Sequence, residues 1–450
     1  MIKKAALFCL AVLLGLQASY AEGLFNPKTF TLKNGLQVVV ITNNRSPVVK
    51  HTLWYKVGGL DDPIGQGGIA HFLEHLMFKG AEGEAAKAYS QIINNIGGKQ
   101  NAATGHDFTF YYATVGKEHL ETVMQLESKR MQGLSLREED VETERGVILE
   151  ERSFRVGNNP QRKLVEAMFN ALNWNTLYRR PVIGWKHEIK LLSRENIMKF
   201  YKRFYAPNNA ILMLTGDITI EEAKPLVEKY YGPLKPSPNI ARANILDEPP
   251  HHNVNTTISL KDEQVTHPAF FSLFAAPTYK ENPKIAIALQ IVRFVLSQGA
   301  PSILYQELKE KQNRASWITT SYDTGRRAGN MFMLAGQPAS GVTLEELQNE
   351  AMAIIKSLLK DGLTDEQIAS AKRRYLASLA YVKDSSFAGD DEIGETLVLD
   401  MKIEDVETWP QQIDAVTRDD IIAAIRMVFD TDEIITGILL PKDDNDHATS

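Results

Sequence analysis

The chain has 450 residues, 44% hydrophobic and 24% charged, with a formal net charge of −6. That is the composition of a globular protein long enough for two or more domains. It lacks the basic footprint that nucleic-acid binding requires.

The N-terminus reads as a secretory signal over residues 1–21. Lys3 and Lys4 form the charged region, Ala5 to Leu16 is apolar, and Ser19-Tyr20-Ala21 fits a small-x-small cleavage site. The apolar run is too short for a comfortable membrane span, so no stable membrane anchor is expected. Cleavage after Ala21 removes two lysines and takes the formal charge from −6 to −8. It also removes Cys9, the only cysteine. The expected location is the periplasm, where a large core replaces disulfides.

Residues 28–232 read as one α/β unit. Phe30 to Thr42 surrounds Asn34-Gly35, a hairpin signal, and Val48 to Val57 is a further strand. A helix then carries His71-Phe72-Leu73-Glu74-His75. Residues four apart share a helix face, so His71 and His75 can converge on one metal ion while Glu74 projects toward the same region. Ile69, Phe72, Leu73, Leu76 and Met77 form an apolar face, which predicts a half-buried helix. Ionisable groups on such a helix need a partner, and a metal is the simplest one. Two imidazoles, one distant carboxylate and an open position make a catalytic zinc (Zn2+) site, with Glu74 as general base.

A helix around Ala85 to Ile96 follows, then short strands at Asn101 to Thr104 and Thr109 to Val115. Helical patterns run from Lys117 to Gln132 and from Arg137 to Phe154. The second of these holds the acidic cluster Glu144-Arg145-Gly146-Val147-Ile148-Leu149-Glu150-Glu151. His106, His119 and His187 have no evident ligand partners and read as surface or satisfied histidines.

Residues 233–254 are rich in proline and polar residues and read as a linker. His251-His252 near its end has no acid or cysteine in a ligand pattern and is expected to be solvated. Residues 255–443 read as a second unit that repeats the first without the metal motif. Ser193-Arg194-Glu195-Asn196-Ile197 and Thr417-Arg418-Asp419-Asp420-Ile421 each start a capped amphipathic helix. Each helix passes into a β-rich run, Ala210 to Leu214 and Ile434 to Leu440.

The His-x-x-Glu-His motif and the acidic cluster resemble the pitrilysin-type (inverzincin, M16) zinc metallopeptidases, closest to their processing-peptidase-like bacterial branch. That family adds a distant Glu ligand, and the spacing 151 − 75 = 76 points to Glu151 rather than Glu150. It also has an acid seven residues before the ligand, and 151 − 144 = 7 places this second-layer group at Glu144. On a helix those two positions lie two turns apart on one face, while 150 points elsewhere. The resemblance implies an α+β fold of two homologous units in tandem. Each would be an antiparallel-rich sheet packed with helices, together forming half of a clam-shell peptidase chamber. It implies an edge strand beside the zinc, where Asn101 and Ala102 contact an extended peptide substrate. Pro181 to Trp185 and Tyr205 to Asn209 also resemble family segments and read as structural.

One departure bears on partners. Many members of the family carry an Arg and a Tyr seven residues apart that hold the substrate carbonyl. Here Lys309 stands at the Arg position and Ser316 at the Tyr position, with Trp317 beside it. The expectation is a zinc endopeptidase subunit that acts with a paralogous partner. That partner would lack His-x-x-Glu-His and supply the Arg/Tyr pair. The alternative is a non-catalytic assembly or peptide-binding subunit of the same fold.

Overall fold

The computed structural model describes residues 23–80, 88–238, 240–243 and 254–442. The signal segment, its cleavage site and His251-His252 therefore lie outside the described residues, as does the start of the helix expected from Ala85.

Eleven strands form two sheets among the described residues. The first comprises β1 (Lys28–Thr31), β2 (Gln37–Thr42), β3 (Val48–Tyr55), β4 (Lys99–Thr104), β5 (Thr109–Gly116) and β6 (Ala210–Gly216). Its order is β1-β2-β6-β3-β5-β4. The second comprises β7 (Thr256–Asp262), β8 (Ala269–Ala276), β9 (Ala315–Tyr322), β10 (Asn330–Pro338) and β11 (Ile435–Pro441), in the order β7-β11-β8-β10-β9. Without β1 the two orders are the same. Each sheet also has one parallel pair at the equivalent place, β2 with β6 and β7 with β11, and antiparallel pairs elsewhere. The fold is α+β and built by duplication.

The first unit's principal helices are α1 (Ile69–Leu76), α2 (Ala88–Asn95), α3 (Leu120–Gln132), α4 (Glu138–Arg152), α5 (Pro160–Leu172), α6 (Arg194–Phe204) and α7 (Ile220–Tyr231). The second unit's are α8 (Pro283–Leu296), α9 (Leu344–Asp361), α10 (Asp365–Lys383), α11 (Asp390–Val398) and α12 (Arg418–Phe429). Local chemistry sets several starts. The Ser193 hydroxyl accepts from the Asn196 amide at α6, and Thr417 accepts from Asp420 at α12, satisfying donors that a helix start leaves orphaned. After each helix the chain enters an interior strand, β6 or β11.

Each unit has its own core on the helix-covered face of its sheet. The opposite faces are covered by exchange. Leu164 and Met168 of α5 pack on Phe271, Leu273, Ile435 and Leu439 of the second sheet. Ile393 and Leu397 of α11 pack on Val39, Ile41, Trp54 and Ile211 of the first. The exchange is close: a Cβ at Gly437 would lie 2.2 Å from the Met168 sulfur. Buried Asp390 adds a polar tie, accepting from Thr52 at 2.8 Å and Thr215 at 2.9 Å and pairing with Lys50 at 2.7 Å. The proline-rich segment thus lies between two sheets but not between two separately closed cores. Its described part is strapped down as well, with Arg242 donating to the Val398 carbonyl at 2.7 Å and Asp61 accepting from the Ala243 amide at 2.7 Å.

Candidate metal centre

Helix α1 begins where two glycine-containing segments meet. Gly68 has φ +89°, and a Cβ there would lie 2.6 Å from the Ile183 carbonyl oxygen. Gly184 approaches from the other side, where a Cβ would lie 2.3 Å from the Gly67 carbonyl. The Pro181 to Trp185 segment therefore seats the helix. Asp62 accepts from the amides of Gly68 at 2.6 Å and Ala70 at 3.1 Å, answering two donors at the helix start. Burial of Ile69, Phe72, Leu73 and Leu76 turns the opposite stripe toward α4 and β4.

That stripe brings His71 and His75 together, their ring centroids 4.7 Å apart. The Nε2 atoms lie 3.6 Å and 3.4 Å from Oε2 of Glu151. Among the described residues this trio is the one group of His, Cys, Asp and Glu placed to hold a metal ion, its donor atoms all within 4.8 Å. A tetrahedral zinc with bonds of about 2.0–2.2 Å separates its ligand atoms by about 3.3–3.6 Å, so the spacing fits. The chemistry fits too, because Glu151 Oε2 is buried and accepts no hydrogen bond from the protein. Such an atom is costly unless something binds it.

The surroundings orient the donors. Glu144 Oε1 lies 2.8 Å from His75 Nδ1, which leaves Nε2 facing the trio. Lys79 ion-pairs with the other Glu144 oxygen. Arg155, on a π-turn that continues α4, holds Glu151 Oε1 at 2.7 Å. Glu150 is exposed on the far side of α4. Glu74 lies beside the trio, and the Thr104 hydroxyl donates to its Oε2 at 2.6 Å.

Ionisation follows these contacts. Burial opposes charge on His75, but the carboxylates of Glu144 and Glu151 outweigh it and push the metal-free ring up to about 9. Burial, with the neighbouring His75, lowers His71 to about 4. The His75 ring holds Glu151 below the usual carboxylate range, against burial. Burial raises Glu74, and the Thr104 hydrogen bond only partly offsets it. A raised carboxyl beside a metal site is suited to proton transfer near neutral pH.

A cavity of about 510 Å3 opens over these groups, lined by His71, Glu74, His75, Asn101, Ala102 and Thr104 among others. β4 is the edge of the first sheet, so Asn101 and Ala102 sit on a strand with one side unpaired among the described residues. Lys309 and Ser316 do not line this cavity. Lys309 lies on the π-turn Tyr305–Lys311, with its ammonium 5.4 Å from the Tyr305 ring centroid. Ser316 is exposed on β9, and Trp317 donates its ring N–H to Gln337 at 3.1 Å. His106 is tied to the Arg180 carbonyl at 3.1 Å.

Sequence reasoning left out Thr104, Lys79 and Arg155. Two of these had a signal: Lys79 is one helical turn beyond His75, and Arg155 one turn beyond Glu151. Thr104 had a weaker one, lying on the same strand face as Ala102.

Comparison with known proteins bears on this geometry. Residues 37–184 match the family described as Insulinase (Peptidase family M16), and residues 191–375 match the Peptidase M16 inactive domain. Zinc protease PqqE of Helicobacter pylori is 31% identical over 369 residues, covering 80% of this chain and 81% of that protein. A crystal structure of a protease from Helicobacter pylori superposes with a TM-score of 0.84 at 26% identity, over 92% of this chain and 100% of that one. The first half of the periplasmic protease PqqL from Escherichia coli shares the fold, with a TM-score of 0.76 at 19% identity over 92% of both chains. This chain spans 47% of the length of whole PqqL.

Proposed function

The chain belongs to peptidase family M16, and from that premise we propose that it is the zinc-dependent catalytic subunit of a periplasmic endopeptidase acting on extended peptides or unfolded segments. The observation that carries this reading is the convergence of His71, His75 and Glu151 on one point, with Glu74 beside it. These three residues would hold the ion, and Glu144 would orient His75.

Zinc, when bound, supplies Lewis-acid activation of water and of the peptide carbonyl. Glu74 takes the proton of the attacking water. Thr104 occupies Oε2 and leaves Oε1 free for that proton, which Glu74 then delivers to the leaving amine. The substrate backbone adds alongside β4, where main-chain pairing next to Asn101 and Ala102 gives affinity with little sequence selectivity.

The carbonyl-holding pair is the missing part. Lys309 has one charged donor without the planar fork of Arg, and Ser316 is too short to replace a phenol. The chain matches the first half of PqqL and spans 47% of whole PqqL, which supports a reading as one of two paired half-units. The second half-unit would be a paralogue that carries Arg and Tyr.

The test is cleavage of a quenched fluorescent peptide by zinc-replete protein, with and without chelator, alone and with that paralogue. Weak chelator-sensitive cleavage alone and strong cleavage by the pair is the expected result. Full activity from the chain alone would defeat the heterodimer, and no activity in either case from a zinc-loaded protein would defeat the peptidase.

A further inference from the structure

A second cavity lies apart from the one over His71 and His75. It measures about 1000 Å3 and lies between α5 of the first unit and β8, β10 and α11 of the second. Its walls are mixed. Phe169, Phe271, Leu273 and Met331 are its apolar lining, and Arg162, Arg293 and Arg326 line it together with the acids Asp323, Glu392 and Glu395.

Arg293 and Arg326 are poorly answered. Among the described residues no hydrogen-bond acceptor or carboxylate reaches the Arg326 side chain, whose only close partner is the Tyr178 ring, 5.0 Å from its guanidinium carbon. Arg293 donates from Nη1 to Gln290 at 2.7 Å and to the Tyr322 carbonyl at 3.1 Å, and its buried Nε has no acceptor. Burial lowers the pKa of both groups, and the charge of Asp323, with that of Asp107 for Arg326, only partly offsets it.

The turn that carries Arg326 is held in place. The Gly325 amide donates to Asp323 at 3.0 Å, the Arg327 amide donates to the Tyr178 hydroxyl at 3.0 Å, and that hydroxyl donates to Asp107 at 2.7 Å. Glu395 of α11 rests against the same turn, since a Cβ at Gly325 would lie 2.0 Å from its Oε1. No hydrogen bond reaches the Glu395 carboxyl among the described residues, and it makes no ion pair with Arg326. Burial, with the acids Asp323, Asp391 and Glu392, pushes Glu395 up to about 8, so at neutral pH it is mostly a neutral hydrogen-bond donor.

We propose that this cavity binds a small molecule with an apolar body and one carboxylate end, its carboxylate on Arg326 and Arg293 and its body against the apolar lining. A guanidinium fork matches a carboxylate in shape and charge. A protonated Glu395 beside it adds a donor where an ionised acid would repel. The same chemistry is carried by a free fatty acid and by the C-terminus of a short peptide.

The test uses octanoate and N-acetyl-leucine as probes and N-acetyl-leucinamide as the neutral control, by isothermal titration on the full chain. Zinc-loaded and chelator-treated protein are compared, because a carboxylate could also reach a metal. Saturable binding of at least one acid, unchanged by chelation and absent for the amide, is expected. Octanoate alone would mark the ligand as a fatty acid, N-acetyl-leucine alone as a peptide end. Arg326→Gln should weaken binding by about tenfold or more, the usual effect of losing a hydrogen bond to a charged group. If Arg326→Gln does not fold, Arg293→Gln is read instead, with the same expectation. The proposal is overturned if neither acid binds, if the amide binds equally well, if binding disappears with the metal, or if a folded arginine variant keeps full affinity.

Discussion

Helix α1 joins β3 to β4 in the first unit, and α8 holds the same step between β8 and β9 in the second. The former carries two histidines and a glutamate on the stripe opposite its apolar one, whereas the latter buries Ile285 to Val292 without a break. The helices that face them differ in the same way. Val141, Glu144 and Ile148 of α4 are buried in the first unit, and Ile368, Ala371 and Tyr375 of α10 in the second. An apolar seam needs only complementary shape. A seam of imidazoles and carboxylates needs every charge answered, and it recruits Lys79, Arg155 and Thr104 to do so. The duplicated fold therefore tolerates both fillings, and the chemistry resides in the filling.

The sharpest way to test that contrast is to spoil one charge while keeping its shape. Glu74→Gln should leave zinc bound, by elemental analysis, while peptide turnover falls on the order of hundredfold or more, as for loss of a general base. Near-normal turnover in zinc-replete Glu74→Gln protein rules out this role. Next in size is the ligand on α4. Glu151→Gln should lower zinc affinity by more than the about 10–100-fold expected for an outer partner such as Glu144, while exposed Glu150→Gln leaves affinity unchanged. Competition with a chromogenic chelator measures all three. An emptied site in Glu150→Gln with a full one in Glu151→Gln would shift the register by one residue.

Local pattern carried much of this architecture. The hairpin at Asn34-Gly35, the caps at Ser193 and Thr417 and the apolar stripe of α1 were legible because each depends on residues within a few positions of one another. β11 starts one residue later than the alternation suggests, at Ile435. Long-range facts were not legible. An apolar face on α5 or α11 says that it must be buried, not that it will cross to the other unit's sheet. The spacing of His71 and His75 implies a shared metal, but the carboxylate 76 residues on was chosen by family pattern. The Thr104 hydrogen bond to Glu74 joins a strand to a helix 30 residues away, and no local period encodes it.

Proton release tests whether the metal-free seam is charged as described. At pH 7 the His75 ring, at about 9, carries a proton that a metal must displace, whereas His71, at about 4, does not. Zinc binds the neutral ring, so each unit of rising pH between 7 and 9 should raise affinity about tenfold, levelling above 9. Titration at pH 7 in buffers of different ionisation enthalpy should show about one proton released from the site. Release of none would mean that Glu144 and Glu151 do not hold the ring charged.

The smallest effect should come from Thr104, and it separates the base from the strand that feeds it. Thr104→Val keeps the β-branched shape and removes the donor to Glu74 Oε2. A net hydrogen bond of about 0.5–1.5 kcal/mol predicts a loss of about two- to tenfold in kcat with zinc content unchanged. KM should hold, because β4 keeps its backbone edge for the peptide. Thr104→Ser should restore most of the rate by returning the hydroxyl. If Thr104→Val instead raises KM and spares kcat, the residue serves the strand rather than the base. Glu74 would then be positioned by its own helix alone, and the seam around the metal would need one less partner than the geometry assigns to it.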